Sequence, residues 1–61
     1  MKVGDYTRVM PGVHDDRMPS DGNRDCLILE FVGKMKDQVN VMFHNGEVLK
    51  FHVTQIQNIS L

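Results

Sequence analysis

The sequence predicts an all-β fold, a five-stranded small barrel, on three observations. Apolar residues alternate with polar ones over 39–43 and again over 48–52, and the two runs flank Asn45-Gly46, the strongest short-range hairpin signal a sequence carries. A third apolar run, 26–32, ends at Gly33 and has the length of a strand rather than a helix. The chain is 61 residues long, so everything else must be built around these three runs.

Taken in order, Val3-Gly4-Asp5 reads as a tight turn into a first strand over 6–10, where Tyr6, Thr7 and Val9 suit a pleated, half-buried surface. Pro11-Gly12 stops that strand. From 11 to 25 there is no period of 2 or 3.6, and two prolines, two glycines and several Asp, Asn and Ser residues mark a long loop. Loops of this length in a small domain are usually functional or disordered, which makes 11–25 the first functional suspect. In the second strand, placing Glu30 in water turns Leu27, Leu29 and Phe31 inward and Cys26, Ile28 and Val32 to the other side. A polar turn follows over 33–38.

The hairpin's inward residues select its turn. A two-residue Asn45-Gly46 loop would send Val39, Val41 and Phe43 to one face and Leu49 and Phe51 to the other. A three-residue loop, His44-Asn45-Gly46, with Gly46 left-handed at a bulge, pairs Val41 with Leu49 and Val39 with Phe51. Burial favours the second, leaving Asn40, Met42, Val48, Lys50 and His52 outside. The tail predicts a short helical turn capped by Thr54, then a last strand that returns Ile59 towards strand one, closing the barrel and protecting its edges.

A single cysteine, Cys26, rules out an internal disulfide and a zinc ribbon, and it lies in an apolar run as a small buried hydrophobe would. Met1–Asp5 holds no apolar stretch of signal-peptide type, and 26–32 is too short to span a bilayer, so the expected setting is cytoplasmic and not membrane-bound. A net charge of −1 argues against a general nucleic-acid binder, whose phosphate affinity needs concentrated Lys and Arg.

Lys2-Val3-Gly4-Asp5-Tyr6-Thr7-Arg8-Val9 resembles the Val-Gly-Asp opening of SH3-like small barrels. The order that follows, strand, hairpin, helical turn and last strand, is similar to that of KOW and Tudor domains over nearly the whole chain. More narrowly, the chain looks like the SH3-like proteins of tailed phages of marine cyanobacteria, which implies a phage-encoded protein in the host cytoplasm. The resemblance speaks to fold more than to activity, because this barrel hosts many unrelated ones. The aromatic groove of a polyproline-binding SH3 domain and the aromatic cage of a Tudor domain both lack residues here: there is no tryptophan, Tyr6 is the one tyrosine, and Phe31, Phe43 and Phe51 are assigned inward.

Candidate chemistry is thin. Asp21-Gly22-Asn23-Arg24-Asp25 matches the first oxygen positions of a calcium loop, but Cys26 stands where glycine is needed and Val32 where the closing glutamate belongs. His14, His44 and His52 share no zinc-ligand spacing, and no nucleophile or oxyanion site accompanies His14-Asp15. The expectation is a noncatalytic module without metal or cofactor, monomeric or homodimeric, that binds a protein. Its expected surface joins the 11–25 loop (Val13, His14, Arg17, Met18, Arg24) to the 33–38 turn (Lys34, Met35, Lys36), with adaptable methionines in both. The alternative is a KOW-like nucleic-acid or ribonucleoprotein contact through Arg8, Lys34, Lys36 and Lys50.

Overall fold

In a computed structural model that describes residues 1–59, the chain is all-β. Strands β1 (Tyr6–Val9), β2 (Asp25–Val32), β3 (Gln38–Phe43) and β4 (Val48–His52) are followed by a 3-10 turn, Val53–Gln55, and by β5 (Ile56–Asn58). They form one antiparallel sheet in the order β4-β3-β2-β1-β5. The sheet curls around a core of Val9, Cys26, Ile28, Val39, Val41, Phe43, Leu49, Phe51 and Ile56. The Phe43 and Phe51 rings meet edge to face, with centroids 6.4 Å apart.

The β3–β4 hairpin adopts the three-residue loop. Val41 pairs with Leu49 and Val39 with Phe51. The Phe43 carbonyl accepts from the Gly46 amide at 2.9 Å, and the Phe43 amide donates to the Glu47 carbonyl at 3.0 Å. Gly46 has φ +86°, the left-handed conformation this bulged turn requires. Asn45 Oδ1 accepts from the Glu47 amide at 3.1 Å, so the Asn-Gly pair supplies both a side-chain brace and the backbone freedom.

Strand β2 corrects the inward set expected for it. Cys26 and Ile28 are the buried pair, whereas Leu27 and Leu29 are half-buried on the outer side. Pairing with β3 slips between Ile28 and Glu30, which leaves Leu29 as an extra residue. Beyond this bulge the phase is reversed, and Phe31, opposite Val39, packs against the core as expected. Apolar residues on both sides of the strand made its phase ambiguous, and one bulge accommodates both patterns. Cys26 enters the core because Thr7, itself buried, sits opposite it and meets its sulfur through Oγ1 at 3.3 Å.

Other boundaries and contacts differ in detail. β1 ends at Val9, β2 begins at Asp25, and β3 begins at Gln38. The cap of the 3-10 turn is His52, not Thr54: His52 Nδ1 accepts from the Thr54 amide at 3.2 Å, and Gln55 Oε1 accepts from the His52 amide at 2.8 Å. β5 pairs with β1, and the Ile59 amide reaches the Tyr6 carbonyl at 3.5 Å. The sheet is not closed, because β4 and β5 stand at its two edges and are joined through the 3-10 turn rather than by pairing.

Candidate functional site at the loop end of the sheet

Antiparallel strands place successive connections at alternating ends of a sheet. Residues 10–24, between β1 and β2, and residues 44–47, between β3 and β4, therefore lie at one end, and residues 33–37 lie at the other. The intervening β2 is eight residues long, roughly 23 Å from first to last at ~3.3 Å per step. Of the expected surface, Val13, His14, Arg17, Met18 and Arg24 come together, whereas Lys34, Met35 and Lys36 sit at the far end. What joins the long loop is the hairpin tip. His44 Nε2 lies 3.1 Å from Asp21 Oδ2, and Asn45 Nδ2 donates to the Arg17 carbonyl at 3.5 Å.

The long loop is built as a chain of side-chain-braced turns. Asp15 Oδ1 accepts from the Arg17 amide at 2.9 Å, Asp21 Oδ1 from the Asn23 amide at 2.9 Å, and Asn23 Oδ1 from the Asp25 amide at 2.8 Å. This gives the Asp and Asn residues a structural task and explains the resemblance to the start of a cation loop. Arg24 gathers the other side, with Nη1 donating to the Val13 carbonyl at 2.7 Å and to that of Met10 at 3.4 Å. Val13 and Met18 pack partly buried against the core and anchor the loop from beneath.

Between these anchors the loop encloses a cleft of about 300 Å³ lined by His14, Asp16, Met18, Pro19, Asn23 and Arg24, among others. That is the lower range of pockets that accept a side chain or small ligand. His14, which lines the cleft, and Arg17, elsewhere on the loop, are both exposed, His14 Nε2 being 3.5 Å from Asp16 and Arg17 Nε 3.9 Å from Asp15. An adjoining hollow runs past Arg8, Asp21, Gly22, Asn23, Arg24 and Asp25. Arg8 Nε donates to Asp25 Oδ1 at 2.7 Å, and that hydrogen bond raises the guanidinium's already high pKa.

The 33–37 turn has a different character. Lys36 adopts φ +57° and its amide donates to the Gly33 carbonyl at 3.2 Å, which leaves Met35 83% exposed at the tip. The Asp37 carbonyl accepts from the Val53 amide at 2.9 Å, and Asp37 Oδ2 lies 3.6 Å from His52 Nε2, so this turn is braced by the 3-10 segment.

Sequence reasoning missed His44 and Asn45, which it placed at a solvated hairpin tip, and Asp21, which it weighed as a ligand. It also missed Tyr6 and Leu27, which with Asn23, Asp25 and His44 line a hollow of about 260 Å³ on the outer face; Met42, expected outside the hairpin in an apolar spot with Val48, lines the same hollow. The alternation that assigned Met42 outward was the available signal there. Among the described residues no group of three or more His, Cys, Asp and Glu side chains is placed to hold a metal ion. Cys26 is buried, and burial pushes its thiol pKa up, away from the thiolate form that reacts. No helix among the described residues is long and apolar enough to cross a membrane. Fold and site define a small all-β domain with a braced loop at one end. No family model, curated protein or solved structure matches the chain.

Proposed function

We propose that the chain is a noncatalytic binding module of the SH3-like small-barrel type, phage-encoded and acting in the host cytoplasm, that engages a protein partner through its 11–25 loop. The observation that carries this reading is the loop's construction. A small domain commits a quarter of its length to a segment without regular structure, yet braces it with Arg24, three Asx-type turns and the hairpin tip. Ordering a loop in advance lowers the entropy cost of docking onto it.

The binding residues we assign are Val13, His14, Arg17 and Met18, with Arg24 shaping the cleft. Lys34, Met35 and Lys36 belong to the opposite end and are not carried into this surface. A KOW-like nucleic-acid contact has less geometric support. Arg8 is paired with Asp25, Lys34 and Lys36 occupy the far turn, and Lys50 lies on β4. Phosphate binding depends on cations gathered along one surface.

Affinity capture from cells that express the chain tests the proposal, with a companion bait whose residues 14–22 are replaced by Gly-Ser. Partners present on the first bait and lost from the second are expected. A partner set unchanged by the replacement rejects the loop as the site.

A further inference from the structure

The outer face of the sheet carries an apolar row that starts beside the loop end. Register places Tyr6 opposite Leu27, Leu27 opposite Met42 and Met42 opposite Val48, so four apolar side chains line up across β1, β2, β3 and β4. Tyr6 is 61%, Met42 37% and Val48 44% exposed. Leu27, lower between its neighbours, floors the hollow of about 260 Å³ that Tyr6 and Met42 flank and that Asn23, Asp25 and His44 close at the loop end. A polar row runs beside it: Glu30 opposite Asn40, and Asn40 opposite Lys50, with Asn40 Nδ2 donating to Glu30 Oε1 at 2.8 Å.

We propose that this face docks a second copy of the chain, in a two-fold pair whose axis runs along β3 between the two faces. Rotation about such an axis keeps each row facing the same row and exchanges β2 with β4. Val48 of one copy then enters the hollow floored by Leu27 of the other, Met42 meets Met42, and Glu30 faces Lys50 twice. The contact is isologous and closed, as two-fold pairs are. Charge selects the axis. Centring it on β2 instead would set Glu30 against Glu30, whereas centring it on β3 makes every charged contact in the polar row complementary. The two sheets cross at roughly 30°, as aligned sheets do, so the strands nearest the axis carry the contact.

The pair is weak. The strands that face each other, β2, β3 and β4, make a contact about five residues long, roughly 10 by 17 Å, short of the ~800 Å² per partner of a standard stable interface. Association is therefore expected between about 20 µM and 1 mM, where mass action reveals it.

Sedimentation velocity over that range, with wild type, E30K, K50E and an equimolar mixture of the two variants, tests the pairing. Both substitutions are at exposed outer positions, and circular dichroism checks the fold. Wild type is expected to self-associate, each variant alone to associate at least about tenfold more weakly, and the mixture to recover wild-type association, because opposite charges then face each other at both contacts. Side-chain resonances of Leu27, Met42 and Val48 should shift on concentrating the wild type, a readout that needs no variant. A folded wild type that stays monomeric throughout overturns the proposal and leaves the face to a different partner. Association indifferent to both substitutions, or a mixture that does not recover, overturns the β3-centred pair.

Discussion

His44 Nε2 lies 3.1 Å from Asp21 Oδ2, so the tip of the β3–β4 hairpin holds the middle of the loop between β1 and β2. A second contact, from Asn45 Nδ2 to the Arg17 carbonyl at 3.5 Å, ties the same two segments. The hairpin is therefore a buttress for the loop as well as scaffold for the core. Both partners of the His44–Asp21 contact are about half exposed, and exposed pairs contribute little to global stability, ~0–1 kcal/mol. H44A is accordingly expected to leave the denaturation midpoint nearly unchanged while speeding amide exchange in residues 15–22. Equal exchange in both proteins would show that the hairpin does not hold the loop.

Arg24 is the stronger brace, since its charged donor serves two backbone carbonyls in a half-buried position. R24A should cost about 1–2 kcal/mol, the usual effect of removing a charge-assisted hydrogen bond and leaving its acceptor short. R24K retains the charge but not the guanidinium's reach, so it should recover only part of that loss. Urea denaturation of the three proteins measures it.

Gly46 carries the hairpin's register in its φ of +86°. A Cβ there meets nothing within 4 Å, so the penalty of G46A is conformational rather than steric contact with neighbours. About 1–2 kcal/mol is expected. For a domain this small each kcal/mol lowers the thermal midpoint by ~4–8 °C, which thermal denaturation by circular dichroism will detect.

The Cys26 thiol gives a pH dependence with a definite sign. Burial raises its folded-state pKa above the unfolded value, with a smaller opposing effect from Thr7. The folded chain therefore keeps the proton to higher pH than the unfolded chain. The associated stability is complete below the unfolded pKa, roughly 8.5 for a free thiol, and is lost as pH rises through the folded value. Denaturation midpoints of wild type should fall more steeply than those of C26A between pH 8 and roughly 10. Parallel profiles would contradict this.

Much of the scaffold was legible because β structure has a period. The inward residues of the hairpin decided its turn, and residues 41 and 49, 39 and 51 pair as that argument required. β2 was harder, since Leu27, Leu29 and Phe31 compete with Cys26, Ile28 and Val32, and only pairing with β3 reveals the bulge at Leu29. The expected barrel closure failed because nothing local in 48–59 says whether β4 and β5 pair. The loop's composition marked it as a candidate, but irregular segments have no register. Its docking against His44 and Asn45, rather than the 33–37 turn, follows from connection ends in the antiparallel sheet, and His52 displaced Thr54 as cap through a side-chain nitrogen.

The claim at the centre is that binding belongs to the loop end. Hydrogen exchange of the chain alone and saturated with a partner captured by it reads this most directly. Protection confined to residues 12–24 and 44–47 is predicted. Protection falling instead on residues 33–37, with 12–24 unchanged, would contradict it.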